Sequence, residues 1–151
     1  MVGLFLFLQE KIIKSVYDGL ENIRKHTIGK DIIVSVGAHL KYNNAIYNCA
    51  VLINDAKYLA VIPKTYIPNY NEFSEKRWFA SSSDIDSVCK IKINNQEVPF
   101  GPNILIQKGI AKIAVEICED LWTPIPPSSI AAINGANIIL NLSASTEVIQ
   151  K

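Results

Sequence analysis

Apolar residues near the N-terminus recur at every third or fourth position and then, further along, at every second one. Leu8, Ile12, Val16, Leu20 and Ile23 stand at helical spacing, which predicts an amphipathic helix that ends before Gly29 and lies over a sheet. From Asp31 the period shortens. DIIVSVGA, AIYNCAVLIN and YLAVIP read as strands, with turn chemistry at Asn43-Asn44 and at Asp55-Ala56-Lys57. Two further runs flank Asn94-Asn95 in CKIKINNQEVPF, and Lys108-Gly109 divides NILIQ from AKIAVEIC, so hairpins are expected at both places. PPSSIAAINGA then reads as a short helix with Pro127 or Ser128 near its start and Gly135 near its end, and NIILNLS as a buried strand. This order predicts one layered α/β domain with no internal repeat or linker.

Composition narrows the picture modestly. A chain of 151 residues with 49% hydrophobic and 19% charged residues suits one domain with a real core. Its net charge of +1 is scattered along the chain, so no basic stripe points to nucleic acid. The apolar start, Val2 to Leu8, has no basic residue before it, is too short to span a bilayer and has no small-residue cleavage site after it, so neither a signal peptide nor a membrane partner is expected. Cys49, Cys89 and Cys118 are odd in number and lack metal-site spacing. They argue against a disulfide framework or a zinc site and for a reducing, cytoplasmic setting.

Candidate chemistry gathers in two stretches. In AVEICEDLW a strand-like run ends on Cys118 and is followed at once by Glu119 and Asp120, a collar that core filling does not require. Cys49 and Cys89 have no such context and read as core. The second stretch, PKTYIPNYNEFSEKRWF (63–79), breaks the strand rhythm with Pro63, Pro68 and the aromatic residues Tyr66, Tyr70 and Phe73; it is expected to be an ordered loop held by its own aromatic contacts. Lys64 stands at the end of the strand before this loop. Two strand ends 54 positions apart in sequence, carrying Lys64 and Cys118, are expected to converge at one edge of the sheets.

The motifs PKTYIPNYNEF, EKRWF, VEICEDLW and ANIILNLSAS, in this order and spacing, resemble the carbon–nitrogen hydrolase (nitrilase) superfamily, and within it the glutaminase domain of glutamine-dependent NAD synthetases. GAHLKYNNAIYNCAVLI is similar to the second strand pair of that family, so the resemblance covers nearly the whole chain. It implies a nitrilase-like α-β-β-α sandwich, incomplete here, with residues 1–151 a partial domain and the synthetase domain absent. Cys118 resembles the family nucleophile, which forms a thioester with the side-chain amide of glutamine and releases ammonia. Lys64 resembles the lysine whose charge opposes that of the tetrahedral intermediate, and Glu75 the acidic residue that positions it. The backbone N–H of Glu119 is implied as an oxyanion donor, although its side chain reads equally as loop charge. Tyr70, Ser145 and Lys151 match glutamine-binding positions, the last suited to the substrate α-carboxylate. No cofactor is implied for the glutaminase part; ATP belongs to the synthetase domain. Implied partners are glutamine and either a second copy of the chain or a synthetase domain or subunit.

The sequence also departs from the family. The general-base glutamate lies at the end of a first strand upstream of where Met1 begins, and Glu10 and Glu21 match nothing in that motif. His39 replaces a proline, and Gln150 a glycine. General-base assistance is worth ~10²–10⁴-fold in rate, so the chain alone is expected to be a weak or inactive glutaminase. Two other readings stay open: a non-catalytic remnant or binding module that keeps the fold, and a nitrilase-like amidase acting on another small amide.

Overall fold

The computed structural model describes residues 9–144, so Ser145 and Lys151 lie outside the described residues. Helix α1 (Glu10–His26) begins with an acidic residue and carries Arg24 and Lys25 in its last turn, charges that complement its dipole. It stops at Thr27, whose buried hydroxyl donates to the Arg24 carbonyl (2.7 Å) and accepts from the Ala56 N–H (3.0 Å). The helix end is thereby tied to a hairpin tip, and Gly29 takes the left-handed turn beyond it.

Strands β1 (Val34–Tyr42), β2 (Ala45–Asn54), β3 (Lys57–Pro63), β4 (Cys89–Ile93) and β5 (Gln96–Phe100) form one sheet in the order β1-β2-β3-β5-β4. Its turns follow the expected chemistry: Asn43, Asp55, Ala56 and Asn94 all have positive φ. A bulge interrupts the β2–β3 pairing, where Leu52 opposes Ala60 but Ile53 opposes Tyr58, leaving Leu59 as the extra residue. Strands β6 (Ile106–Lys108), β7 (Ala111–Glu116) and β8 (Ile138–Asn141) form a second sheet, with β7 and β8 parallel and helix α2 (Pro127–Ile133) connecting them.

Alternation along β2 builds two cores. Cys49, Val51 and Ile53 join Tyr58, Val61 and Phe100 on the α1 side, where Val16, Tyr17, Leu20 and Ile23 cover them. Ala50 and Leu52 face the other way, with Ala60 and Ile62, onto Ile113, Val115 and Ile117 of the second sheet. With α2 laid on β7, the layers run α-β-β-α, the incomplete nitrilase-like sandwich that the motifs imply, with open sheet edges.

One expectation needs correction. β8 is not a buried strand: Ile138 and Ile139, which point to opposite faces, are 41% and 39% exposed. The strand sits at the edge of its sheet, and only its β7 side is paired among the described residues. An apolar run alone does not distinguish a central strand from an edge strand. Leu52→Ala, in the core between the sheets, is expected to cost about 2–5 kcal/mol in urea denaturation, and Ile138→Ala less than about 1 kcal/mol. Equal losses would mean that β8 is as well packed as β2.

Candidate active site

The two strand ends meet across the sheets. β3 ends at Pro63 and delivers Lys64, only 1% exposed, whose N–H donates to the Asn48 carbonyl (2.8 Å). Its ammonium donates to both Glu75 oxygens, at 3.0 and 3.2 Å. Glu75 opens a 3-10 turn (Glu75–Arg77), and its N–H donates to the Pro68 carbonyl (3.2 Å). The loop between is held by an edge-to-face contact of Tyr70 with Phe73. A lysine in so dry a place is tolerable only because a carboxylate reaches it.

β7 ends at Glu116, and Cys118 starts a second 3-10 turn (Cys118–Trp122). Cys118 has φ +49°, a left-handed conformation that costs an ordinary residue roughly 1–2 kcal/mol. Cys118, Lys64 and Glu75 all line one cavity of about 500 Å³, together with Phe73, Asn141 and the backbone of Gly37. Cys49 is fully buried and its thiol is pushed up by burial, so it suits core filling; Cys89 is half-buried and donates to the Phe100 carbonyl.

Tyr70 and Glu119 meet beside the cysteine turn, in an adjoining cavity. The Tyr70 hydroxyl donates to Glu119 (2.7 Å), and that bond raises the phenol above its ordinary range. The pair lines a neighbouring cavity of about 450 Å³ beside Lys76 and Thr123, whereas Tyr70 does not line the cavity of Cys118. Among the described residues no group of three His, Cys, Asp or Glu side chains is placed to hold a metal ion.

Two buried carboxylates flank Cys118; the sequence marked Asp120 as part of the collar without a role and left Glu116 unmarked. Glu116, 1% exposed, accepts from the Ser128 N–H (3.1 Å) at the start of α2 and from the Asn141 amide (3.3 Å) at the end of β8. Asp120, also 1% exposed, accepts from the N–H groups of Ile117, Thr65 and Tyr66. Burial pushes the Asp120 carboxyl up, while those three donors and the Lys64 charge pull it back. The signal was the pair of acids after Cys118, but two of the partners of Asp120, Tyr66 and Thr65, lie 54 and 55 positions away from it in the loop after β3.

Glu75→Ala leaves the Lys64 ammonium buried without its carboxylate. The expected loss is about 3 kcal/mol, the low end for a broken buried pair because Glu75 is 23% exposed. At position 118 the usual ranking of small residues should invert: Cys118→Gly is expected to be more stable than Cys118→Ala by about 1 kcal/mol, since only glycine adopts positive φ without strain. Chemical denaturation of the variants measures both differences.

No family model matches the chain. A glutamine-dependent NAD(+) synthetase of Mycobacterium leprae is 38% identical over 144 residues, which cover 93% of this chain and 21% of that protein. The chain thus spans about a fifth of the length of such relatives. The crystal structure of a glutamine-dependent NAD(+) synthetase from Cytophaga hutchinsonii superposes with a TM-score of 0.80 at 26% identity, covering 97% of this chain and 23% of the other. A carbon–nitrogen hydrolase from Helicobacter pylori shares the fold at a TM-score of 0.65 and 18% identity, covering 98% of this chain and 46% of the other. Sequence and fold together show homology to the glutaminase domain of glutamine-dependent NAD(+) synthetases, enzymes of the nitrilase superfamily.

Proposed function

We propose that Cys118 is the nucleophile of a glutamine amidohydrolase that supplies ammonia for NAD(+) synthesis. The sulfur attacks the side-chain carbonyl carbon of glutamine, and a tetrahedral oxyanion forms. The C–N bond then breaks, the thiol proton ends on the departing nitrogen, and ammonia leaves behind a thioester. Water cleaves the thioester to glutamate and restores the thiol.

One observation carries this reading: a cysteine with left-handed backbone opens into the same cavity as a buried Lys64–Glu75 ion pair. Cys118 serves as a presented nucleophile at a strand end. Lys64 opposes the charge that develops on the intermediate, and Glu75 keeps its ammonium aimed. The N–H of Glu119 is one oxyanion donor; a donor of this kind is typically worth ~3–4 kcal/mol of barrier. Tyr70, through Glu119, takes part in binding the amino acid, with Ser145 and Lys151 completing the glutamine site. The domain is partial, ATP serves a synthetase domain elsewhere, and ammonia passes to that domain or subunit. No helix of the described residues is long and apolar enough to cross a membrane.

Covalent labelling tests the reading without depending on turnover. A diazoketone analogue of glutamine is expected to modify Cys118 alone, glutamine is expected to protect it, and Cys118→Ala is expected to abolish the adduct located by mass spectrometry. Modification spread over Cys49 and Cys89, or labelling of Cys118 that glutamine leaves unchanged, would remove glutamine from the proposal. In the unsubstituted chain, protection by another small amide in place of glutamine would redirect the site to that amide.

A further inference from the structure

We propose that Asp120 is a positioning residue: one buried carboxylate holds both arms of the site and sets where the Lys64 ammonium stands relative to the Cys118 sulfur. This inference rests on the reading of Cys118 as nucleophile and Lys64 as its cation.

The need for such a device follows from the architecture. Lys64 is delivered by the first sheet and Cys118 by the second, and the contacts between those sheets are apolar. Apolar packing fixes how closely two layers approach but gives no direction along the layer. Hydrogen bonds do, and Asp120 supplies three. One oxygen accepts from the N–H groups of Thr65 (3.1 Å) and Tyr66 (2.7 Å), the two residues after Lys64. The other accepts from the N–H of Ile117 (3.0 Å), the residue before Cys118. The Asp120 N–H returns a bond to the Ile117 carbonyl (3.1 Å) and closes the strained Cys118 turn on itself. Two further bonds join these segments, Tyr70 to Glu119 and Tyr66 to the Ile125 carbonyl, but both start from exposed hydroxyls. Among the described residues, the Asp120 bridge is the dry one of the three. A buried carboxylate with three donors is held far more stiffly than an exposed pair.

An asparagine at position 120 has nearly the same shape but only one accepting oxygen. If that oxygen faces Thr65 and Tyr66, its NH₂ meets the Ile117 N–H, donor against donor; turned round, it meets the other two. Either way one arm is released while the volume is kept.

The test is a double-mutant cycle on the 151-residue chain. The rate of Cys118 alkylation by iodoacetamide near neutral pH is read by mass spectrometry, with Cys89 as internal reference, for the unsubstituted chain, Lys64→Met, Asp120→Asn and the double variant. Each single substitution is expected to slow Cys118 about tenfold, and the double variant no more than the slower single. A merely structural Asp120 gives independent effects, so a double variant slowed about a hundredfold overturns the proposal. A Cys118 rate indifferent to Asp120→Asn or to Lys64→Met overturns it as well. Amide hydrogen exchange on the unsubstituted chain covers the case in which Asp120→Asn does not fold: the N–H groups of Ile117, Thr65 and Tyr66 are expected to open as one unit, and separate rates refute the bridge. The glutamine analogue reads a different property. Labelling that fails beside an intact cycle refutes glutamine as substrate, and labelling that succeeds beside a failed cycle refutes only the role of Asp120.

Discussion

Everything at the site depends on the stacking of two sheets through small and branched side chains. Ala50, Leu52, Ala60 and Ile62 on one side meet Ile113, Val115 and Ile117 on the other. Two alanines in the first layer let the second come close, and two of the strands that make the contact, β3 and β7, lead into Lys64 and Cys118. Packing and chemistry are therefore one problem in this fold: whatever seats β7 on β3 also brings a cation and a thiol to the same cavity.

The polar interior follows from that arrangement. Lys64, Glu116 and Asp120 are the largest charged side chains taken out of water, and each is surrounded by partners. An isolated buried charge is strongly unfavourable, so such groups persist where their partners are fixed. Glu116 fastens β7 to α2 and β8, and Asp120 fastens the Cys118 turn to the segment after Lys64. The cysteine turn is thus clamped from before and from behind, and a left-handed cysteine can persist there.

Local patterns exposed much of this fold. The helical spacing of Ile12, Val16, Leu20 and Ile23 foretold α1, and the asparagine and aspartate turns foretold the hairpins, because a helix stripe and a positive-φ turn are written in neighbouring residues. Lys64 and Cys118 were visible as strand-end residues. What stayed hidden depends on distant chain. The exposure of β8 is set by the absence of a pairing strand on one side among the described residues, which its own apolar letters do not record. Asp120 read as one of two acids in a loop, since its value lies in N–H groups contributed by the distant loop after β3. The meeting of Tyr70 with Glu119 is of the same kind, a contact between two loops with no shared local pattern.

The Leu59 bulge lies between the hairpin tip at Asp55 and the end of β3 at Pro63. Beyond it, Ala60, Val61, Ile62 and Pro63 keep an unbroken register with Leu52, Val51, Ala50 and Cys49 up to the residue before Lys64. The bulge offsets the two halves of the hairpin by one residue: the pairs at the tip, Ile53 with Tyr58 and Asn54 with Lys57, stand in a different register from the pairs that lead to Lys64. The β2–β3 tip, which also receives the end of α1 at Ala56, is therefore out of step with the stretch that carries the lysine, so the register there is set by the pairs from Ala60 to Pro63 and not by the turn.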